Sequence, residues 1–212
     1  ILSVLIGVAI AIPVGIVSAM RRNSPLDTAS TGAALLGVSL PNFFLAILLI
    51  FIFSVHLRWL PPIGYTPLAD GVLDNLKRML MPAITLGTAL SAIVMRMTRS
   101  SLLEVLDQDY VRTARAKGLA EMRVIRVHAL KNSLIPVATV VGLQIGGLLG
   151  GAIITETIFA LPGIGRLLVD SIFQRDFPLV QGVVLFTSLA FLVVNLLVDL
   201  LYAFLDPRIR YS

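Results

Sequence analysis

Cysteine is absent from the 212 residues, which excludes disulfide frameworks, cysteine–zinc sites and thiol catalysis. Charge is scarce as well: Asp, Glu, Lys and Arg make up 14% of the chain, against about 25% in soluble domains. None of the three lysines completes a Gly-Lys-Ser/Thr triplet, because Arg78, Gly118 and Asn132 follow them, so the chain has no P-loop with which to hydrolyse ATP. His-Glu-x-x-His is missing too, and both histidines, His56 and His128, fall between the apolar runs. These absences argue against a zinc or serine–histidine enzyme working at membrane depth. Disorder, collagen-like fibres and an ordinary cytosolic enzyme are ruled out by the same arithmetic.

What is present is apolar. Hydrophobic residues are 57% of the chain and the mean hydropathy is +0.94, the composition of a polytopic membrane protein. Five stretches carry no charge: 1–20, 28–55, 79–95, 132–155 and 177–198. At ~1.5 Å per residue, about 20 residues cross a ~30 Å hydrocarbon core. The runs show no period-2 alternation, so helices rather than barrel strands are expected. The expected fold is therefore an all-α membrane protein with five transmembrane helices in one domain, 1–212. Ile1 already lies inside an apolar run, which reads as a chain that has lost its N-terminal end.

Lysine and arginine set the orientation. Arg21 and Arg22, the eight cations from Arg96 to Lys131, and Arg208 and Arg210 make 12 of the 17 basic residues, all in alternate connections. That side is expected to be cytoplasmic, with the C-terminus inside. The net charge of +5 then reflects topology and not nucleic-acid binding, since no aromatic-and-basic platform accompanies it. Pro13, Pro41, Pro82 and Pro136 fall within spans, where freed backbone groups find partners on neighbouring helices. Gly142, Gly146 and Gly150 recur every four residues and predict a face of close helix packing.

The loop 96–131 is too long and too patterned for a plain connector. Ser100–Leu106 continues the third span, Asp107-Gln108-Asp109 interrupts it, and Tyr110–Lys117 is rich in helix formers. Gly118 can supply a left-handed turn. A second helix over Leu119–Leu130 would place Leu119, Met122 and Ile125 on one face. From composition alone this hairpin could lie on anionic lipid or dock a soluble partner.

Residues 111–136, VRTARAKGLAEMRVIRVHALKNSLIP, closely resemble the cytoplasmic loop of binding-protein-dependent ABC importer permeases, in particular the first-permease type of the oligopeptide, dipeptide and nickel group. The superfamily motif runs Glu-Ala-Ala, three residues, Gly, nine residues, Ile, one residue, Leu-Pro. Gly118 and Leu130 match it, whereas Arg112-Thr113 and His128 depart from it and Lys131 replaces the Pro. Those departures are the form that the motif takes in the peptide-type group. The stretch 156–182, ETIFALPGIGRLLVDSIFQRDFPLVQG, and the ending DPRIR at 206–210 resemble the same permeases. The likeness covers essentially all of the chain, the family's first helix and outer segment going unseen.

The resemblance implies a type I ABC importer transmembrane domain in a bacterial cytoplasmic (inner) membrane. Partners would be a second homologous permease, two cytoplasmic ATPase subunits that hold ATP and Mg, and an extracytoplasmic solute-binding protein. No cofactor or metal would be bound by this chain. Tyr110, Arg112, Thr113, Ala114, Arg115, Ala116, Lys117, Gly118 and Leu119 would couple to the ATPase, with Ala114 and Ala116 keeping the docking surface thin. Outer loops would be 56–78 and 156–176, the second of them, with Glu156, Leu161, Pro162, Gly163 and Gly165, near the mouth of the path and the docked binding protein. By its apolar character 156–180 dips toward the membrane or forms a surface amphipathic helix. Glu156 and Asp199 lie at span ends, where snorkelling or helix-end pairing would satisfy them. A secondary transporter or channel is the alternative; its coupling ion would call for ionisable groups at the midplane, and the span interiors have none.

Overall fold

The computed structural model describes residues 1–205, apart from the side chains of 149–151, 199 and 201–205. The DPRIR ending with Arg208 and Arg210 lies outside the described residues, as do the surroundings of Gly150 and the side chain of Asp199. Among the described residues there is no strand. Nine α-helices follow in order among the described residues: α1 Leu2–Met20, α2 Pro25–Ser39, α3 Asn42–Leu49, α4 Val72–Leu106, α5 Asp109–Ala116, α6 Glu121–Arg123, α7 Leu130–Ile158, α8 Ile164–Gln174 and α9 Phe177–Leu205. Four helical stretches among the described residues are long and apolar enough to cross a membrane, or five if α2 and α3 with its continuation count as one.

That fifth span is where sequence and structure part. The uncharged run 28–55 is bent by 103° between Pro25–Ser39 and Asn42–His56. Proline forces the residue before it out of the helical region, and Leu40 accordingly adopts φ −75°, ψ 122° ahead of Pro41. Pro41 therefore starts a new helix and does not merely kink one. Beyond Leu49 the winding loosens to π-helical hydrogen bonding over Ile50–His56. The other prolines, Pro13, Pro82 and Pro136, do lie inside continuous helices.

The core of the bundle is the pair α1 and α4. Small residues Ser3, Gly7, Ala11 and Gly15 are buried along one face of α1. Their spacing of four lets two backbones approach closely. A Cβ on Gly15 would lie 2.8 Å from the Met95 carbonyl oxygen and 2.8 Å from the Thr98 Cβ. Gly7 faces Gly87 and Leu90 while Gly15 faces Met95 and Thr98, so the two helices run parallel. Around them a core of Ala11, Ala34, Leu90, Val94, Met95 and Val137 joins α1, α2, α4 and α7.

α2 and α7 run antiparallel to α4: Gly37 meets Ala92 and Thr88, and Ser101 Oγ donates to the Ser133 carbonyl at 2.9 Å. α9 returns along α7. Cβ atoms on Gly142 and Gly146 would press on Val198 and on Phe191 with Asn195, which makes the predicted glycine face a helix-packing seam. The molecule thus has two ends. One gathers the α1–α2 turn with Arg21 and Arg22, the end of α4, and α5 and α6; we call it the basic end. The opposite end gathers residues 57–71 and the α7–α8 turn.

Candidate functional site

The feature that stands clear of the bundle is the helical hairpin at the basic end. α4 runs unbroken through Leu106, then Gln108 turns extended (φ −72°, ψ 148°) and α5 begins. Asp109 in the first turn suits the positive end of the helix dipole. Val111 and Ala114 form the buried face of α5 and pack on Val124, with Val105, Leu106 and Leu119 around them. Gly118 has φ +79°, a left-handed value that glycine adopts without strain. Its N–H donates to the Arg115 carbonyl at 2.9 Å. The expected turn is therefore in place.

Across that turn Arg115 and Glu121 form a two-pronged ion pair, Nε to Oε2 at 3.0 Å and Nη2 to Oε1 at 2.7 Å. The hydrogen bond from Arg115 holds the Glu121 carboxyl below its ordinary value, against a smaller opposing push from burial. The root of the hairpin is tied separately. Tyr110 Oη accepts from Asn132 Nδ2 at 2.9 Å and donates to the His128 carbonyl at 3.3 Å.

The nine residues assigned to coupling divide in two. Arg112, Thr113, Ala116 and Lys117 are exposed, and the Thr113 hydroxyl donates back to the Asp109 carbonyl. Ala114 is buried and Leu119 packs inward; both support the hairpin from within instead of thinning its outer surface. Arg115 and Tyr110 spend their polar groups on the hairpin itself. The second helix also departs from the expected Leu119–Leu130. Only Glu121–Arg123 is α-helical, and π-helical winding over Val124–Ala129 leads without a break into α7. That wider turn shifts the helical register, so Val124, Ile125 and Ala129 are buried while Met122 is exposed.

At the opposite end the LPGIG turn wraps a carboxylate. Glu156 Oε2 accepts from the Arg166 N–H at 3.0 Å, capping the first turn of α8. Gly163 and Gly165 leave the room for it, since a Cβ at either would collide with the Glu156 carboxyl. The Leu161 N–H donates to the Glu156 carbonyl at 2.9 Å, and Ala160 takes φ +51°. Leu161 is buried beside Phe159, Ala46, Leu49 and Met81, and Pro162 completes the turn. The Gly64 N–H donates to the Phe159 carbonyl at 2.9 Å, fastening the first outer loop to the second. Glu156 also borders a cleft of about 620 Å³ between α7, α8 and α9, walled by Ile153, Leu168, Phe186 and Phe191.

Sequence reasoning missed a polar cluster inside the basic end. Asp27, which flanks the uncharged run 28–55, is buried and takes both prongs of Arg99 at 2.6 and 2.8 Å. Ser18 and the Asn23 N–H complete its coordination. Nothing in the local pattern joins residues so far apart. Among the described residues no three His, Asp or Glu side chains converge as a metal site.

A helical, apolar bundle with four or five helices able to cross a membrane among the described residues, and a basic hairpin continuing from the longest of them, is the architecture of a multi-pass membrane protein. The sequence profile described as "Binding-protein-dependent transport system inner membrane component" matches residues 11–211, and the chain belongs to that family. Among curated proteins it is 48% identical to the dipeptide transport system permease protein DppB of Escherichia coli (strain K12) over 227 aligned residues, covering 96% of this chain and 67% of that protein. It is 46% identical to DppB of Alkalihalophilus pseudofirmus, covering 100% of this chain and 69% of that one. Among solved structures it is similar to a chain of the MetNI methionine ABC transporter in inward-facing conformations. The TM-score is 0.73 over 96% of this chain and 89% of that one, at 16% identity, a likeness of fold. The expected type I importer fold and multi-pass inner-membrane character hold.

Proposed function

We propose that this chain is a permease subunit that moves di- or oligopeptides, or a related small solute, across the cytoplasmic membrane by alternating access driven by ATP on other subunits. The observation that carries the reading is the near-full-length likeness, at 46–48% identity, to dipeptide permeases. The partners are a second permease of the same kind, two cytoplasmic ATPase subunits that bind ATP and Mg, and an extracytoplasmic solute-binding protein. The basic end faces the cytoplasm, which agrees with the lysine and arginine bias, and the C-terminus lies on that side.

Arg112, Thr113, Ala116 and Lys117 present the exposed face of α5 to an ATPase groove. Closure of the ATPases around ATP displaces α5. Because α4 runs 35 residues as one helix up to the hairpin, the displacement enters the bundle along α4. At the opposite end the Glu156–LPGIG turn and the Phe159 cluster border the outer mouth.

The test is to purify the full-length protein from native membranes in mild detergent, identify what accompanies it, and measure ATP-dependent dipeptide uptake after reconstitution. Gly118→Pro should abolish uptake while the chain still inserts, because proline fixes φ near −65° where +79° is needed. Wild-type uptake in that variant would refute the coupling assignment. A solitary protein without ATPase activity, under conditions that keep a known importer intact, would favour a self-contained transporter.

A further inference from the structure

The buried Asp27 carboxylate at the basic end gathers two groups from the neighbouring chain, Ser18 and Asn23, and one from 72 residues further on, Arg99. Asp27 Oδ1 accepts from Arg99 Nε at 2.6 Å and from Ser18 Oγ at 2.5 Å. Asp27 Oδ2 accepts from Arg99 Nη2 at 2.8 Å and from the Asn23 N–H at 2.9 Å. Ser18 belongs to α1, Asn23 to the following turn, Asp27 to α2 and Arg99 to α4. Asp27 is 4% exposed and Arg99 is partly buried, so the pair is screened less than a surface ion pair.

If the site served only to hold helices together, apolar residues of the same volume would do as well or better. A fork-to-fork guanidinium–carboxylate pair adds something that apolar packing lacks, namely a fixed direction and register between the elements it joins. Its place on α4 gives that direction a use. Arg99 lies about two turns before α4 ends at Leu106, and no proline or glycine intervenes. Beyond Leu106 only Asp107 and the extended Gln108 separate α4 from α5. On one side of the pair, Gly15 of α1 lies against the Met95 carbonyl and the Thr98 side chain, and on the other Ala19 packs with Leu102. Movement of α4 at this depth cannot be absorbed by compressible side chains.

We infer that Arg99 and Asp27 are positioning residues that carry displacement of the 109–123 hairpin from α4 into α1 and α2. The joint couples the hairpin's movement to the access change of the bundle, without touching ATP or solute. The inference rests on the importer reading given above.

The experiment uses the whole importer in proteoliposomes, with wild type, Arg99→Lys, Asp27→Asn and Ser18→Ala compared. Three quantities are measured: assembled complex, ATP hydrolysis and dipeptide uptake. Arg99→Lys keeps the charge but loses the fork. It should assemble and hydrolyse ATP yet move roughly two- to thirty-fold fewer peptides per ATP, the range in which residues along a coupling network act. Asp27→Asn should shift the ratio in the same direction, and Ser18→Ala, which leaves the ion pair, should shift it least. The inference is overturned if uptake and hydrolysis fall together in proportion to assembled complex, or if the ratio stays at the wild-type value. Failure of even Arg99→Lys to assemble would assign the pair a purely structural role and overturn it too. Absence of ATP-dependent uptake in the wild type would overturn the importer reading itself, before any variant is compared.

Discussion

Tyr110 and Asn132 meet across the root of the hairpin, the Asn132 amide donating to the Tyr110 phenol oxygen at 2.9 Å while the phenol reaches the His128 carbonyl. The contact ties the first turn of α5 to the base of α7. Tyr110→Phe removes both bonds and keeps the ring. A hydrogen bond of this kind contributes about 0.5–1.5 kcal/mol. Amide hydrogen exchange over 109–123 should therefore quicken several-fold, with the transmembrane parts of α4 and α7 unchanged. Equal protection in the two proteins would show that the phenol bonds carry no tension between the helices.

The Arg115–Glu121 pair predicts a pH dependence with a definite sign. Glu121 titrates below its ordinary value in the folded hairpin, so its contribution is present above the unfolded carboxylate pKa and is lost as pH falls through the lower folded value. Protection of the 118–123 amides, corrected for intrinsic exchange, should hold at neutral pH and fall progressively once pH drops below the ordinary carboxylate value. Glu121→Gln should show weaker protection with no such fall. The pair is substantially exposed, so the effect is local and global thermal stability should stay the same.

Two glycines make opposite predictions. Gly15→Ala would drive a Cβ to 2.8 Å from the Met95 carbonyl oxygen, and forcing the helices apart costs about 1–3 kcal/mol. Gly32→Ala on α2 meets nothing within 4 Å and gains about 0.5–1 kcal/mol from helix propensity. Thermal unfolding in detergent should move down for the first and up, or not at all, for the second.

At the opposite end, Glu156→Ala should leave the first turn of α8 without its acceptor and cost about 1 kcal/mol, as loss of a helix cap does. Glu156→Gln keeps an oxygen for the Arg166 N–H and should retain most of that stability. Gly163→Ala should be the most damaging of the three, because its Cβ and the Glu156 carboxyl would occupy one place. Limited proteolysis within 160–176 would rank them.

Most of the architecture could be read from the chain because membrane burial leaves a simple signal. Uncharged runs long enough to cross gave α1, α4, α7 and α9, and Gly118 announced its left-handed turn. The break at Pro41 was harder, since hydropathy over 28–55 is continuous and only the conformational effect of proline on Leu40 divides it. The small-residue face of α1 was present as Ser3, Gly7, Ala11 and Gly15 but is less conspicuous than the all-glycine series on α7. In the hairpin, sequence spacing located the coupling candidates without separating outward Arg112 and Lys117 from inward Ala114 and Leu119. That division depends on where Val124 packs, and the π-helical turn moved it. The Asp27–Arg99 pair spans 72 residues, and no local pattern encodes such a meeting.

That same separation sets a timetable for synthesis. Translation at about 5–20 residues per second places Arg99 in the growing chain roughly 4 to 14 seconds after Asp27. During that interval α1 and α2 exist while their counter-charge does not. In that interval the Asp27 carboxylate has Ser18 and the Asn23 N–H as partners but not the Arg99 fork. Closure of the joint then becomes a late step in biogenesis, one that a chain interrupted before Arg99 could not complete.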